Sequence, residues 1–204
     1  MHQLKKRYFF IFVLLLSAVL ISSCTDSKTQ SIPVSSAYPS ATRAYISSFY
    51  QPYDFTFAKE ENYAGYPLVT ASSPDGMASL QLLGQEDNLQ SARVLIYLPI
   101  DADYEFANQQ YTYFDLLLTS VFGDSWPAME EWLITATNSI AERSNTSLMG
   151  GALVSTPYST DAGDLAANMY VRLDEDEKGF IMGLVLGDWL DDIGYDPAQA
   201  VWEP

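Results

Sequence analysis

Imidazole and thiol are almost missing from this chain. Its 204 residues hold one histidine and one cysteine, His2 and Cys24, so from Thr25 onward there is neither. That excludes Ser-His-Asp and Cys-His catalysis in the body of the chain, because both need an imidazole base. It excludes zinc sites of the Cys/His kind. It also leaves no cysteine pair for a disulfide, the usual staple of exported domains. The fold has to rest on apolar burial alone. Basic residues are scarce as well: 10 Lys and Arg stand against 26 Asp and Glu, a formal net charge of −16. Nucleic-acid binding relies on Lys and Arg neutralising phosphates, so this balance argues against it, and against direct adhesion to anionic lipid. A solvated acidic coat explains the charge, with a specific cationic partner as the sharper alternative.

What is present begins at the N-terminus. Lys5, Lys6 and Arg7 precede an apolar run from Tyr8 to Ile21, broken only by Ser17, and Ser22 and Ser23 lead to Cys24. A basic start, an apolar core and a small-residue exit describe a secretory signal peptide. The run falls short of the roughly 20 apolar residues of a comfortable bilayer span. Ile21-Ser22-Ser23-Cys24 resembles the lipobox of bacterial lipoproteins. The resemblance implies a diacylglycerol on the Cys24 thiol, cleavage on its N-terminal side and acylation of the new amine. Two or more acyl chains hold a protein stably at a membrane where one does not. Removing residues 1–23 takes His2 and three basic residues but no acidic one, leaving 7 basic against 26 acidic groups and a net charge of −19.

Three segments follow: a signal peptide over 1–23, a lipidated Cys24 with a flexible tether to residue 40, and one domain over 41–204. Thr25 to Ser40 is rich in Ser and Thr, has two prolines and shows no apolar period. As a coil it would span about 20–25 Å, enough to lift a domain clear of lipid headgroups. Beyond it, Ala41 to Tyr50 suits a short helix capped near Ser40 or Thr42 and stopped at Gln51-Pro52. Tyr53 to Phe57 alternates as a strand. Tyr66–Ser72, Met77–Leu83 and Gln90–Pro99 read as a meander. Its first turn, Ser73-Pro74-Asp75-Gly76, pairs a preset proline dihedral with a glycine that accepts positive φ.

The apolar period then changes to that of helices. Phe106, Tyr113, Leu117 and Phe122 mark one from Asp103 to Phe122. Trp126, Met129, Trp132, Leu133, Ala136 and Ile140 mark a second, with Ser125 as cap and Pro127 in its first turn. Strands return at Ala152–Thr156, Ala167–Leu173 and Gly179–Leu186, the last two joined by the acidic tip Asp174–Lys178. Segregated runs of strands and helices predict an α+β domain, an antiparallel sheet with two helices packed on one face.

No constellation carries a complete chemistry. Asp174-Glu175-Asp176-Glu177-Lys178-Gly179 falls short of a calcium loop, having Lys178 at the fifth position and Val185 at the twelfth, where glutamate is required. A solvated hairpin tip accounts for it. Asp188, Asp191, Asp192 and Asp196 are weak candidates for a Ca²⁺ site, with an acidic C-terminal stretch as the plain reading. Asp101, Asp103 and Glu105 fit a helix N-terminus; a glycosidase could use two such carboxylates, but spacing in sequence does not place them across a sugar. Tyr45, Tyr50, Tyr53, Tyr63, Tyr66, Tyr104, Tyr111 and Tyr113 offer rings with polar tips, suited to sugars or peptides as well as to a core and its rim.

Beyond the lipobox the chain resembles no characterised family. Ser73-Pro74-Asp75-Gly76, Leu80–Gly84 and Asp87-Asn88-Leu89 are similar to segments of bacterial secreted proteins that imply no function. The residues favour a lipid-anchored, extracytoplasmic, non-enzymatic lipoprotein at the cell membrane or outer membrane. On this reading its domain is expected to bind a partner such as an envelope protein or glycan, with no cofactor and no nucleic acid. The second reading is a small-ligand module for a sugar or Ca²⁺, and the third a carboxylate-dependent hydrolase.

Overall fold

The computed structural model describes residues 33–63, 65–123, 131–138, 140, 153–155, 158–159, 166–174 and 178–187. Among the described residues, nine strands form one antiparallel sheet. They are β1 (Thr56–Phe57), β2 (Glu61–Tyr63), β3 (Tyr66–Ser72), β4 (Ala78–Gln85), β5 (Asn88–Pro99), β6 (Leu153–Val154), β7 (Tyr158–Ser159), β8 (Ala166–Leu173) and β9 (Gly179–Leu186). The order is β1-β3-β4-β5-β9-β8-β6, with β2 also on β3 and β7 also on β8. The meander β3-β4-β5 therefore joins the late hairpin β8-β9 through the β5–β9 pair, in register from Ala92↔Leu186 to Pro99↔Gly179. This is the predicted α+β domain.

Apart from one turn in the expected tether, the helices lie where the sequence places them. One is a single turn, α1 (Val34–Ala37), followed by α2 (Arg43–Tyr50) and α3 (Tyr104–Phe122); residues 131–138 are also helical. Thr42 caps α2 by accepting from Tyr45 N–H at 3.1 Å. Asp103 caps α3 by accepting from Phe106 N–H at 2.8 Å, with Glu105 in the first turn. Each satisfies a backbone donor that the helix leaves unpaired, a contribution of about 0.5–2 kcal/mol. Both Asp103 and Glu105 thus serve the helix end. Of the second predicted helix, Ala136 and Ile140 are buried and Trp132 and Leu133 pack against the core. Ser125, Trp126, Pro127 and Met129 lie outside the described residues.

Alternation along the strands divides the sheet's two faces. Leu80 and Leu82, Val94 and Ile96, Met182, Leu184 and Leu186, and Met169 and Val171 point to one side. There they meet Ile46 and Tyr50 of α2, Phe114, Leu117, Leu118 and Val121 of α3, and Ile140. Each fully buried aliphatic or aromatic side chain there contributes about 1.5–3 kcal/mol. The opposite face carries a smaller apolar cluster of Leu83, Leu95, Tyr170 and Val185, with Tyr63 and Leu68 packed against it. Arg93 is buried in the same face, its Nε donating to Gln81 Oε1 on the paired strand. Burial pushes its ionisation down to about 10, against the opposing pull of Tyr170 and Tyr63. Tyr170 is opposite Gly183 in the β8–β9 register, and its ring fills the space a Cβ at 183 would need.

Three local readings are corrected. Val34–Ala37, read as tether, is a helical turn with Val34 fully buried. Ser35 Oγ accepts from Leu89 N–H at 2.7 Å and donates to Ala41 C=O at 3.3 Å, tying this turn to β5. A low-complexity composition hid one buried valine and one bridging serine, and the domain includes Pro33–Ser40. Tyr53, read as strand, belongs to a 3-10 turn over Gln51–Tyr53, because Pro52 suits a helical first turn better than a ladder. The short β2 and β7, which the sequence reading left out, pair along β3 and β8. Two and three residues are too few for an alternating pattern to declare itself.

Candidate functional site

The middle of α3 meets a carboxylate of the β3–β4 turn through Gln110 and a tyrosine of the 3-10 turn Gln51–Tyr53 through Tyr113. Gly76 N–H donates to Ser73 C=O at 3.0 Å, closing the turn, and Gly76 adopts φ +70°, as the Pro-Asp-Gly order predicts. Asp75 stands at the third position of that turn, exposed. Its Oδ1 accepts from Ser73 Oγ at 2.5 Å and from Met77 N–H at 2.9 Å. Its Oδ2 accepts from Gln110 Nε2 at 3.1 Å. Partial burial works to raise the Asp75 pKa, but the hydrogen bonds from Ser73, Met77 and Gln110 prevail and hold it below the ordinary carboxylate value. The group is therefore ionised at neutral pH.

Gln110 is fully buried, yet its Oε1 has no hydrogen-bond partner among the described residues. Such an acceptor costs about 1–3 kcal/mol until a donor reaches it. One turn further along α3, Tyr113 lies edge-on to Tyr53, centroids 6.0 Å apart, and to Phe55 at 5.0 Å. Phe55 in turn meets Tyr50 at 5.0 Å. Tyr50 is buried, and its hydroxyl donates to Tyr113 C=O at 2.8 Å. Burial raises the Tyr113 pKa, and the charge on Asp75 and the neighbouring Tyr53 raise it further. Tyr53 stays 41% exposed. It is followed by Asp54 at φ +58°, a left-handed conformation uncommon for a residue with a side chain. Asp75 is thus tied to Gln110, and Tyr113, one turn further along α3, is tied to the exposed Tyr53 ring.

The residues singled out from sequence distribute unevenly. Cys24, Asp188, Asp191, Asp192, Asp196 and Glu175–Glu177 lie outside the described residues. Among the described residues no three His, Cys, Asp or Glu are grouped to hold a metal ion. Of the tyrosines, Tyr50 and Tyr113 are core, while Tyr45, Tyr53, Tyr66 and Tyr104 are exposed. Gln110 was missed, although a signal existed: it sits between Phe106 and Tyr113 on the apolar stripe of α3, where a polar residue needs a reason. Asp75 was read only as a turn residue. No protein-family model, curated protein or solved structure matches this chain.

Proposed function

We propose that the chain is an exported lipoprotein, held at the extracytoplasmic face of a membrane by lipid on Cys24, and that its domain binds a partner rather than catalysing a reaction. The observation that carries the anchor is the order of Lys5-Lys6-Arg7, the apolar run and Ile21-Ser22-Ser23-Cys24. No helix among the described residues is long and apolar enough to cross a membrane. Support for binding comes from the Asp75–Gln110–Tyr113–Tyr53 cluster. It joins an exposed ring and an ionised carboxylate without the imidazole or thiol that nucleophilic catalysis would use. Protease digestion of intact cells or spheroplasts, followed by membrane fractionation, tests the location. Crosslinking in the envelope, followed by capture of the tagged chain, tests the binding. Recovery of the chain alone in every crosslinking arm would count against a macromolecular partner. Full protection from external protease would count against the location.

A further inference from the structure

The second face of the sheet is buried, yet little among the described residues lies over it. Leu95, Tyr170, Ile181 and Val185 point to this face and are at most 2% exposed. β9 lies between β5 and β8, so the neighbouring strands flank these side chains without covering them. The residues of α1, α2 and α3, with Ala136 and Ile140, pack into the other face. Tyr63 and Leu68, from the β2–β3 edge, are the described apolar neighbours of this cluster. The face also holds two of the seven basic residues that follow Cys24, Arg93 and Arg172. Arg172 Nε is buried with no hydrogen-bond partner among the described residues, and its Nη1 donates to Leu173 C=O at 3.4 Å. Asp174, the carboxylate two residues on, accepts from the Tyr97 hydroxyl at 3.5 Å. A guanidinium in such a place calls for a counter-charge.

Residues 188–204 have the composition that complements this face. They carry five carboxylates and no basic group, with Trp189, Leu190, Ile193 and Trp202 as large apolar side chains. They are also the longest stretch after Cys24 outside the described residues. Their attachment lies at the edge of the face: β9 ends at Leu186, and Gly187 turns the chain with φ +79°. Arg93 is paired with Val185, one residue from that end, and Arg172 with Ile181, five residues from it. Five residues of strand cover about 17 Å. The segment from 188 to 204 extends to about 56 Å, so it can cross the face with both arginines in reach. We propose that residues 188–204 are the cover of this face. Their apolar side chains lie on Tyr170, Ile181 and Val185, and their carboxylates meet Arg172 and Arg93. Asp188, Asp191, Asp192 and Asp196 are then counter-charges to arginine rather than calcium ligands, and a binding partner meets the domain on another surface. The inference holds whether or not Cys24 carries lipid.

The test uses the full chain in neutral detergent, with Ile, Leu and Val methyls and Trp rings labelled, read by NMR. Trp189→Phe and Trp202→Phe assign the two indoles of the segment. Nuclear Overhauser contacts are expected from at least one of them to methyls of Leu95, Ile181 or Val185, and none to Ile46 or Leu117 of the other face. A sample mixing labelled and unlabelled copies separates contacts within one chain from contacts between two. Urea denaturation tests the charges. Arg172→Gln is combined with the change of all five carboxylates to amides: Asp188→Asn, Asp191→Asn, Asp192→Asn, Asp196→Asn and Glu203→Gln. Both changes remove the same pairing, so their losses should fall short of additive, by about twofold or more in the unfolding equilibrium constant. The contacts are read with every charge in place, so a charge variant that fails to fold leaves them decisive. Contacts found only between copies, indoles that touch the other face or neither face, or additive losses in folded variants overturn the proposal.

Discussion

Gly183→Ala sets two physical effects against each other. Gly183 lies inside β9 with no positive φ, so backbone preference alone predicts a gain of about 0.5–1 kcal/mol from alanine. Packing predicts the reverse. A Cβ at 183 would stand inside van der Waals contact of Tyr170 Cε1, Cζ and Oη. Tyr170 is fully buried against Leu83, Leu95 and Val185, so its ring has little room to retreat. Forcing added carbon into such a place costs about 1–3 kcal/mol. The net expectation is a loss of about 0.5–2 kcal/mol, or about 1–8 °C in melting temperature for a domain of this size. Tyr170→Leu removes the obstructing ring, so Gly183→Ala in that background should recover the backbone gain. The coupling between the two changes should be about 0.5–3 kcal/mol. Urea denaturation of the four proteins measures it. A more stable Gly183→Ala, or an equal loss in both backgrounds, would refute the reasoning.

Other expectations follow from buried polar groups. Tyr50→Phe removes the hydroxyl bond to Tyr113 C=O and should cost about 0.5–1.5 kcal/mol at neutral pH by urea midpoint. Burial, with a further push from Asp115, raises the Tyr50 pKa well above its ordinary value. The neutral form is the one the fold holds, so stability is full below about pH 10 and lost as pH rises past it; Tyr50→Phe should flatten that alkaline loss. Asp75 has the opposite sign: its pKa is lowered in the fold, so its contribution is present above about pH 4 and lost as pH falls further. Asp75→Asn should therefore reduce the slope of stability against pH on the acid side, read by melts across that range. Ser35→Ala should cost about 1–3 kcal/mol, because Leu89 N–H is left buried without its acceptor. A loss near zero would return α1 to the tether.

The long elements were legible because burial imprints a period on them. Tyr66–Ser72 and Gly179–Leu186 have the predicted bounds, and α3 starts one residue beyond its cap, Asp103. Each is long enough to repeat its pattern several times. Short elements were not: β2 has three residues and β7 two, and they exist only because β3 and β8 offer unpaired edges. Val34 and Ser35 were hidden for a different reason. Their structural role depends on Leu89 and Ala41, and no local pattern announces a partner 54 residues away. The candidate site was half legible. Pro74-Asp75-Gly76 declared a turn, and Tyr53 and Tyr113 were noted as rings. Their meeting depends on how the turn lies against α3, which only the fold determines. Gln110 and Ser120 are the polar residues buried on the stripe of α3.

The most direct test of the anchored-lipoprotein account is metabolic labelling with a fatty-acid analogue, comparing wild type with Cys24→Ser. The account predicts label on the wild-type chain and recovery with membranes. In the mutant, label should be lost and the chain should no longer be cut before residue 24. Equal labelling and equal membrane retention in Cys24→Ser would contradict it.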